Sequence, residues 1–376
     1  MKDPVAAPRP SAAWRVALVH SWLNQYGGAE RVLEHLHDLF PKAPIYTSMF
    51  EPRAFPPCYR DWDIRTSFLQ RVPLSRSHHQ LMLFFYPMAF ESFDFRGYDL
   101  VLSLSSGFSH GMRAARPGQH VSYCLTPPRF LWTFDRYVGM EGVGRGTRLA
   151  LGATVPLLRR WDVLASRRVD RFVAISRVIQ ERIDRCYGRP SEVIYPAIDV
   201  DSFQPSADLD DYFLVVSRLI PYKRIDLAIE ACNRLKLPLK VVGGGRSKAA
   251  LQRLAGPTIE FVGKVGEDDL RRLYARCRAF IFPGEEDLGL TPIEVQAAGR
   301  PVIAFGRGGT RETIVDGETG LFFEAQSVDS LVDALRRFDH RAYDATRIRA
   351  NVRSQFDLPV FRERFMRFLE GALCGS

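Results

Sequence analysis

Short apolar runs separated by helix-like segments recur along the chain in two successive series. This alternation restricts the possible folds more than any other feature of the sequence. The first series is Trp14 to His20, Ile45 to Phe50, Tyr98 to Leu104, His120 to Leu125, Arg171 to Ile175 and Glu192 to Ile198. The second is Tyr212 to Leu219, Leu237 to Val242, Thr258 to Val262, Ala279 to Phe282, Pro301 to Phe305 and Gly320 to Phe323. Helical spacing fills the intervals, as in Ile225 to Leu235 and Glu267 to Arg278. Strands that are apolar throughout and linked by helices belong to parallel sheets covered on both faces. Two series therefore predict two doubly wound α/β domains, and 376 residues suffice to close a core in each. The expected division is a loose tail 1–13, a first domain 14–197 completed by a C-terminal helix within 357–376, and a second domain 198–356. The join falls near Tyr195-Pro196-Ala197-Ile198-Asp199, where proline stops a strand and a polar, extended segment follows. Ligands of such sheets bind at the carboxyl ends of the strands, here expected in the cleft where the two domains face each other.

Several function classes fall away on composition. The longest apolar run, Leu81 to Phe90, is interrupted by Pro87 and is far shorter than the roughly 20 residues of a spanning helix. The first residues, MKDPVAAPRPSAA, carry no continuous apolar stretch and do not read as a secretory signal, so a cytoplasmic protein is expected. Six cysteines, at 58, 124, 186, 232, 277 and 374, form no C-x-x-C pair and suggest neither a metal cage nor a disulfide framework. The net charge of +9 is spread over arginine pairs such as Arg159-Arg160, Arg167-Arg168 and Arg271-Arg272. Basic surface attracts phosphate in any form, and charge alone does not choose among nucleic acid, anionic lipid and a phosphorylated small molecule.

The motifs lie at the expected strand ends. Gly27 and Gly28 follow the first strand and open a helix from Ala29 to Phe40; two glycines permit close backbone approach, and the helix N-terminus suits an anion. A tight turn without a ligand explains them equally well. Neither this loop nor Gly243-Gly244-Gly245 has the G-x-G-x-x-G spacing of a dinucleotide fingerprint, which weighs against a nicotinamide oxidoreductase. At the first strand end of the second domain, Arg218 leaves the strand and Lys223 is expected to begin the helix, a cationic pair suited to a diphosphate. After Ala279 to Phe282 comes PGEEDLGLTPIE, with Glu286 on a loop and Thr291 expected to cap a helix starting at Pro292. Glu294 then falls in the first helical turn. Two carboxylates with backbone amides between them suit sugar hydroxyls. Asp61-Trp62-Asp63, Asp199-Val200-Asp201 and Asp208-Leu209-Asp210 match the D-x-D pattern of metal-dependent transferases, but chance explains them better, and no metal is expected.

The run from Phe280 to Ile314, FIFPGEEDLGLTPIEVQAAGRPVIAFGRGGTRETI, resembles the donor-binding region of the retaining glycosyltransferases of family 4, which have the two-domain GT-B fold. The resemblance extends to the Gly27-Gly28-Ala29-Glu30 loop, YDLVLSLSSGFSHG from Tyr98, TPPRFLW from Thr126, VIYPAIDVDSF and SRLIPYKRID. TPPRFLW is similar to members that build bacterial O-antigen or exopolysaccharide, many of them mannosyltransferases using GDP-mannose. The resemblance implies two Rossmann-like domains, with the final helix, Leu358 to Leu369, returning to the first. It implies that Arg218 and Lys223 hold the donor diphosphate with help from the amides of Gly27 and Gly28. Glu294 would bind the ribose, and Glu286 with the amides of Asp287, Leu288, Gly289 and Leu290 would grip the transferred hexose. Backbone around Gly263, Lys264 and Val265 would meet the base. The implied reaction retains anomeric configuration, needs no cofactor, and passes the sugar from a GDP- or UDP-linked donor to a glycan or lipid-linked glycan of the cell surface; nucleic acid is not a partner.

One departure bears on activity. Relatives usually carry histidine before TPP, where this chain has Leu125, so either activity is weakened or another group such as His110 takes a related role; a packing histidine is the alternative for His110. The aromatic stretch His78 to Tyr86, with Arg71 and Arg76 ahead of it, is expected to be core, or else a patch touching the inner face of the membrane. A nucleotide-sugar epimerase of the same fold and a catalytically weakened nucleotide-sugar-binding protein are the competing readings.

Overall fold

A computed structural model describes residues 14–73, 82–133 and 145–374. The tail 1–13, Arg76 and His78 to Leu81 of the aromatic stretch lie outside them. The chain divides into two compact units, one running to Pro196 and including the chain from Arg362 onward, the other spanning Ala197–Phe361.

The first unit holds seven strands: β1 Val16–His20, β2 Ile45–Thr47, β3 Ile64–Thr66, β4 Leu100–Ser105, β5 Gln119–Cys124, β6 Arg171–Ala174 and β7 Ser191–Val193. All pair in parallel, in the order β3-β2-β1-β4-β5-β6-β7. Every residue of β1 and β4 is buried, as strands covered on both faces must be. Two ends of the sheet differ from expectation. The edge strand β3 has the sequence IRT, partly exposed, with a single apolar side chain and so no apolar run. The opposite edge, β7, stops at Val193 instead of continuing to Ile198.

The second unit holds six strands: β8 Phe213–Val216, β9 Leu239–Val242, β10 Ile259–Gly263, β11 Ala279–Phe282, β12 Val302–Phe305 and β13 Gly320–Phe323. They are again parallel, in the order β10-β9-β8-β11-β12-β13. Strand order reverses between β1 and β4 in one sheet and between β8 and β11 in the other, so each unit has a crevice at that switch point. The expected pair of doubly wound domains is therefore what forms.

Helices close both faces for reasons visible in the sequence. Gly28–Leu39 buries Val32, Leu33 and Leu36 along one stripe. Ser176 caps Arg177–Tyr187 by accepting from the Ile179 N–H, and Gly188, at φ 61°, ends that helix in the left-handed conformation glycine tolerates. The last helix, Leu358–Cys374, leaves the second unit and contributes Phe365 to the first, where its ring meets Tyr123 of β5 at 5.5 Å.

Candidate active site

In the second unit the two strands flanking the switch point each deliver a loop. The one after β8 passes Arg218, forms a 3₁₀ turn Pro221–Lys223, and reaches helix Ile225–Leu235 only after Arg224, whose φ is 52°. Lys223 thus closes a turn and does not start the helix. The left-handed residue between them is steadied by its own ion pair, Arg224 to Asp226 at 2.9 Å. The glycine triplet after β9 props this turn from behind. A Cβ on Gly243 (φ 124°) would stand 2.0 Å from the Ser217 carbonyl oxygen, and one on Gly245 (φ 157°) 2.4 Å from that of Leu219. Backbone contact, not a dinucleotide, requires those glycines.

The loop after β11 crosses this turn, with Gly284 packed on the Lys223 backbone. The Lys223 ammonium lies 2.6 Å from Glu286 Oε1, both side chains mostly buried, and 5.2 Å from the centre of the Tyr222 ring. Arg218 stays exposed, its guanidinium 3.4 Å from the Tyr222 hydroxyl. The sequence alone missed the floor of the acidic loop. The Glu286 carbonyl accepts from the Gly309 N–H at 2.9 Å, and Gly308 pairs with Glu286 as an isolated parallel bridge. A Cβ on Gly308 would meet the Glu286 oxygen at 2.5 Å, and one on Gly309 would meet Leu288 Cα at 2.3 Å. The signal available was the glycine pair itself, in GRGGT directly after β12.

The following helix runs Leu290–Ala297, capped by Gly289 at φ 86° with no side-chain cap. Thr291 is therefore not the cap, Pro292 is the third helical residue, and Glu294 sits in the second turn. Proline costs nothing there, because the N–H of a third helical residue has no partner within the helix. The N–H groups of Leu288, Gly289 and Leu290 donate to no other described residue. Glu294 is only 4% exposed and accepts from the buried Tyr274 hydroxyl at 2.9 Å. Asp287 is buried and Glu285 half-buried. At the end of β10, Gly263 adopts φ 87° and its carbonyl accepts from Gly243 N–H at 2.7 Å, with Lys264 exposed beside it.

The first unit carries the other expected residues. Gly27 caps helix Gly28–Leu39 in an extended conformation, and Glu30 in the first turn is buried, favourably placed against the helix dipole. Its carboxylate is 3.7 Å from His20 Nε2, and burial lowers the His20 pKa to about 4. His110, after β4, is 1% exposed. Its Nδ1 is 3.0 Å from Ser105 Oγ and its Nε2 3.1 Å from Asp162, which also accepts from the Trp132 indole at 2.7 Å. Trp161 packs so closely that a Cβ on Gly111 would stand 2.1 Å from its ring. This enclosure suits the packing alternative for His110: Nδ1 is engaged by Ser105, and Nε2 faces the buried Asp162. Leu125 donates its N–H to the Ser105 carbonyl at 2.8 Å, so the departure from the family pattern and His110 meet at one residue.

Each of the three D-x-D pairs has at least one aspartate held by arginine. Asp63 pairs with Arg65 at 2.7 Å, Asp201 with Arg349 at 3.5 Å and with Arg353, and Asp208 and Asp210 with Arg276 at 3.1 and 2.8 Å. No group of His, Cys, Asp or Glu among the described residues could hold a metal ion, and no described helix is long and apolar enough to cross a membrane.

Comparison with known proteins agrees with this layout. Residues 26–202 match the model of Glycosyltransferase Family 4, and residues 199–355 that of Glycosyl transferases group 1. The chain is 28% identical over 288 residues to a GDP-mannose-dependent alpha-(1-6)-phosphatidylinositol monomannoside mannosyltransferase of Mycolicibacterium smegmatis, covering 59% of this chain and 75% of that one. It spans about half the length of other curated relatives it matches, 50% and 51% in two cases. Among solved structures, sucrose-phosphate synthase from Thermosynechococcus elongatus superposes with a TM-score of 0.74 at 19% identity, covering 96% of this chain and 100% of that one. Anabaena HepE in complex with UDP gives 0.70 at 16%, covering 95% and 100%. At those identities the likeness is one of fold.

Proposed function

We propose that this chain, which has the GT-B fold and matches the models of Glycosyltransferase Family 4 and Glycosyl transferases group 1 along its two halves, is a glycosyltransferase that moves a hexose from a nucleotide-sugar donor to a hydroxyl of a glycan or lipid-linked glycan, with retained configuration and no metal. The donor is taken to be GDP-mannose before any UDP-sugar, a choice supported by the mannosyltransferase relative. The observation that carries the reading is the contact of Lys223 with Glu286 at the switch point, which brings a phosphate-binding cation and a hydroxyl-binding carboxylate to one place.

In this reading Lys223 and the exposed Arg218 take the diphosphate. Glu286 and the amides from Asp287 to Leu290 hold the sugar, Glu294 holds the ribose, and the backbone at Gly263, Lys264 and Val265 meets the base. The acceptor oxygen bonds to the anomeric carbon as the bond from that carbon to the phosphate oxygen breaks on the same face. The acceptor proton passes to that phosphate oxygen, and the cations stabilise the charge of the departing diphosphate.

A lipid-linked acceptor is supported by apolar side chains left in solvent on the first unit: Phe84, Phe85 and Met88, and Leu157 and Leu164 on helix Arg145–Ser166, which also carries the exposed Arg160 and is followed by the exposed Arg167. Amphipathic surface with arginines suits an anionic bilayer, and we place the enzyme in the cytoplasm, at the inner face. Leu125 favours a second reading, a weakened protein that binds donor without turning it over.

Donor hydrolysis over a panel of GDP- and UDP-sugars tests both. Turnover of one sugar that Lys223→Ala and Glu286→Ala abolish supports the transferase, whereas undiminished turnover in both variants removes the site assignment. Binding without turnover supports the second reading.

A further inference from the structure

Helix Leu290–Ala297 has one charged side chain, Glu294, and six of its eight residues are buried. An unpartnered carboxylate in such a setting is costly, so its hydrogen bonds fix what it can do. One comes from Tyr274, on the neighbouring helix Glu267–Arg276, whose hydroxyl donates to Oε2 at 2.9 Å. Tyr274 is itself immobilised. It is 1% exposed, its ring stands edge-on to Phe280 of β11 at 6.4 Å, and the Phe203 ring lies tilted against it at 6.2 Å. The Cys277 thiol donates to its carbonyl at 3.3 Å, pinning the end of the helix.

A glutamate carboxyl turns freely about its last torsion unless a partner holds it, and it can grip two adjacent hydroxyls only in one orientation of its plane. A rigid donor on a single oxygen supplies that orientation. We propose that Tyr274 is a positioning residue for Glu294, through which the site selects ribonucleotide over deoxyribonucleotide donors. The inference rests on the reading of Glu294 as the ribose ligand.

The full chain is titrated calorimetrically with GDP and 2′,3′-dideoxy-GDP, and with the uridine pair, following whichever base binds. The wild type is expected to bind the ribonucleotide more tightly than its dideoxy analogue. Tyr274→Phe is expected to weaken the ribonucleotide about fivefold to tenfold and leave the dideoxy analogue unchanged, with both variants' thermal midpoints recorded to confirm folding. Equal loss on both nucleotides, or no loss on either, overturns the role of Tyr274. Glu294→Gln separates the two layers. If it lowers both nucleotides equally, the ribose reading itself fails; if it lowers only the ribonucleotide while Tyr274→Phe does not, the ribose reading stands and Tyr274 is a packing residue.

Discussion

Lys223 Nζ and Glu286 Oε1 stand 2.6 Å apart, so each residue offsets the charge of the other. A diphosphate arriving at Lys223 competes with that carboxylate. Glu286→Gln should therefore bind free nucleoside diphosphate at least as tightly as the wild type, while losing on the order of a hundredfold in sugar turnover. Calorimetry with GDP and UDP, set beside the turnover assay, decides it; weakened diphosphate binding in this variant would show that the pair is purely structural.

Gly309→Ala should lower the stability of the second unit by about 1–3 kcal/mol, because the new methyl would meet Leu288 Cα at 2.3 Å. The same shift displaces the loop bearing Glu286, so turnover should fall with it. Gly266→Ala, where a Cβ meets nothing within 4 Å, is the control and should change neither. Thermal denaturation and donor hydrolysis on the three proteins suffice.

His110→Ala should act on stability first. It leaves the fully buried Asp162 without its imidazole neighbour, at a cost of about 3 kcal/mol. A variant with an unchanged melting temperature and no activity would instead return His110 to the chemistry.

Burial depresses the pKa of His20 to about 4 and that of His120 to about 3, where the neighbouring His110 adds to the effect. The unfolded imidazoles take protons near pH 6.5, so between that pH and 4 the unfolded state binds more protons than the folded one. The stability contributed by neutral burial is complete above about pH 6.5 and declines as the pH falls towards 4. Urea unfolding of His120→Asn should show a shallower loss over this window than the wild type. Parallel curves for the two proteins would assign the acid sensitivity elsewhere.

The architecture was legible because covered parallel strands must be apolar throughout. Ala279–Phe282 and Gly320–Phe323 form with the boundaries their sequences suggest. β3 was not, since its three residues lie at an edge and carry one apolar side chain. Within the site, Arg218, Lys223 and Glu286 could be picked out because charged residues stand at strand ends, where α/β sheets bind ligands. The start of the helix before Glu294 misled, because a Thr-Pro pair is a good cap and first turn, yet Gly289 reaches a left-handed conformation that threonine avoids. The enclosure of His110 depends on Asp162, 52 residues later, and the floor beneath Glu286 depends on Gly308 and Gly309. Neither partnership leaves a trace in local sequence.

The glycines at the second switch point divide the site into two kinds of position. Gly243, Gly245, Gly308 and Gly309 set the backbone path by contacts that no side chain could share, while Arg218 and Lys264 project from that path into solvent. An experimenter wishing to redirect the protein to another nucleotide or sugar thus has a chassis that must be left alone and a small set of interchangeable fittings mounted on it. Libraries confined to the fittings should yield mostly folded proteins, and those that reach the chassis should not.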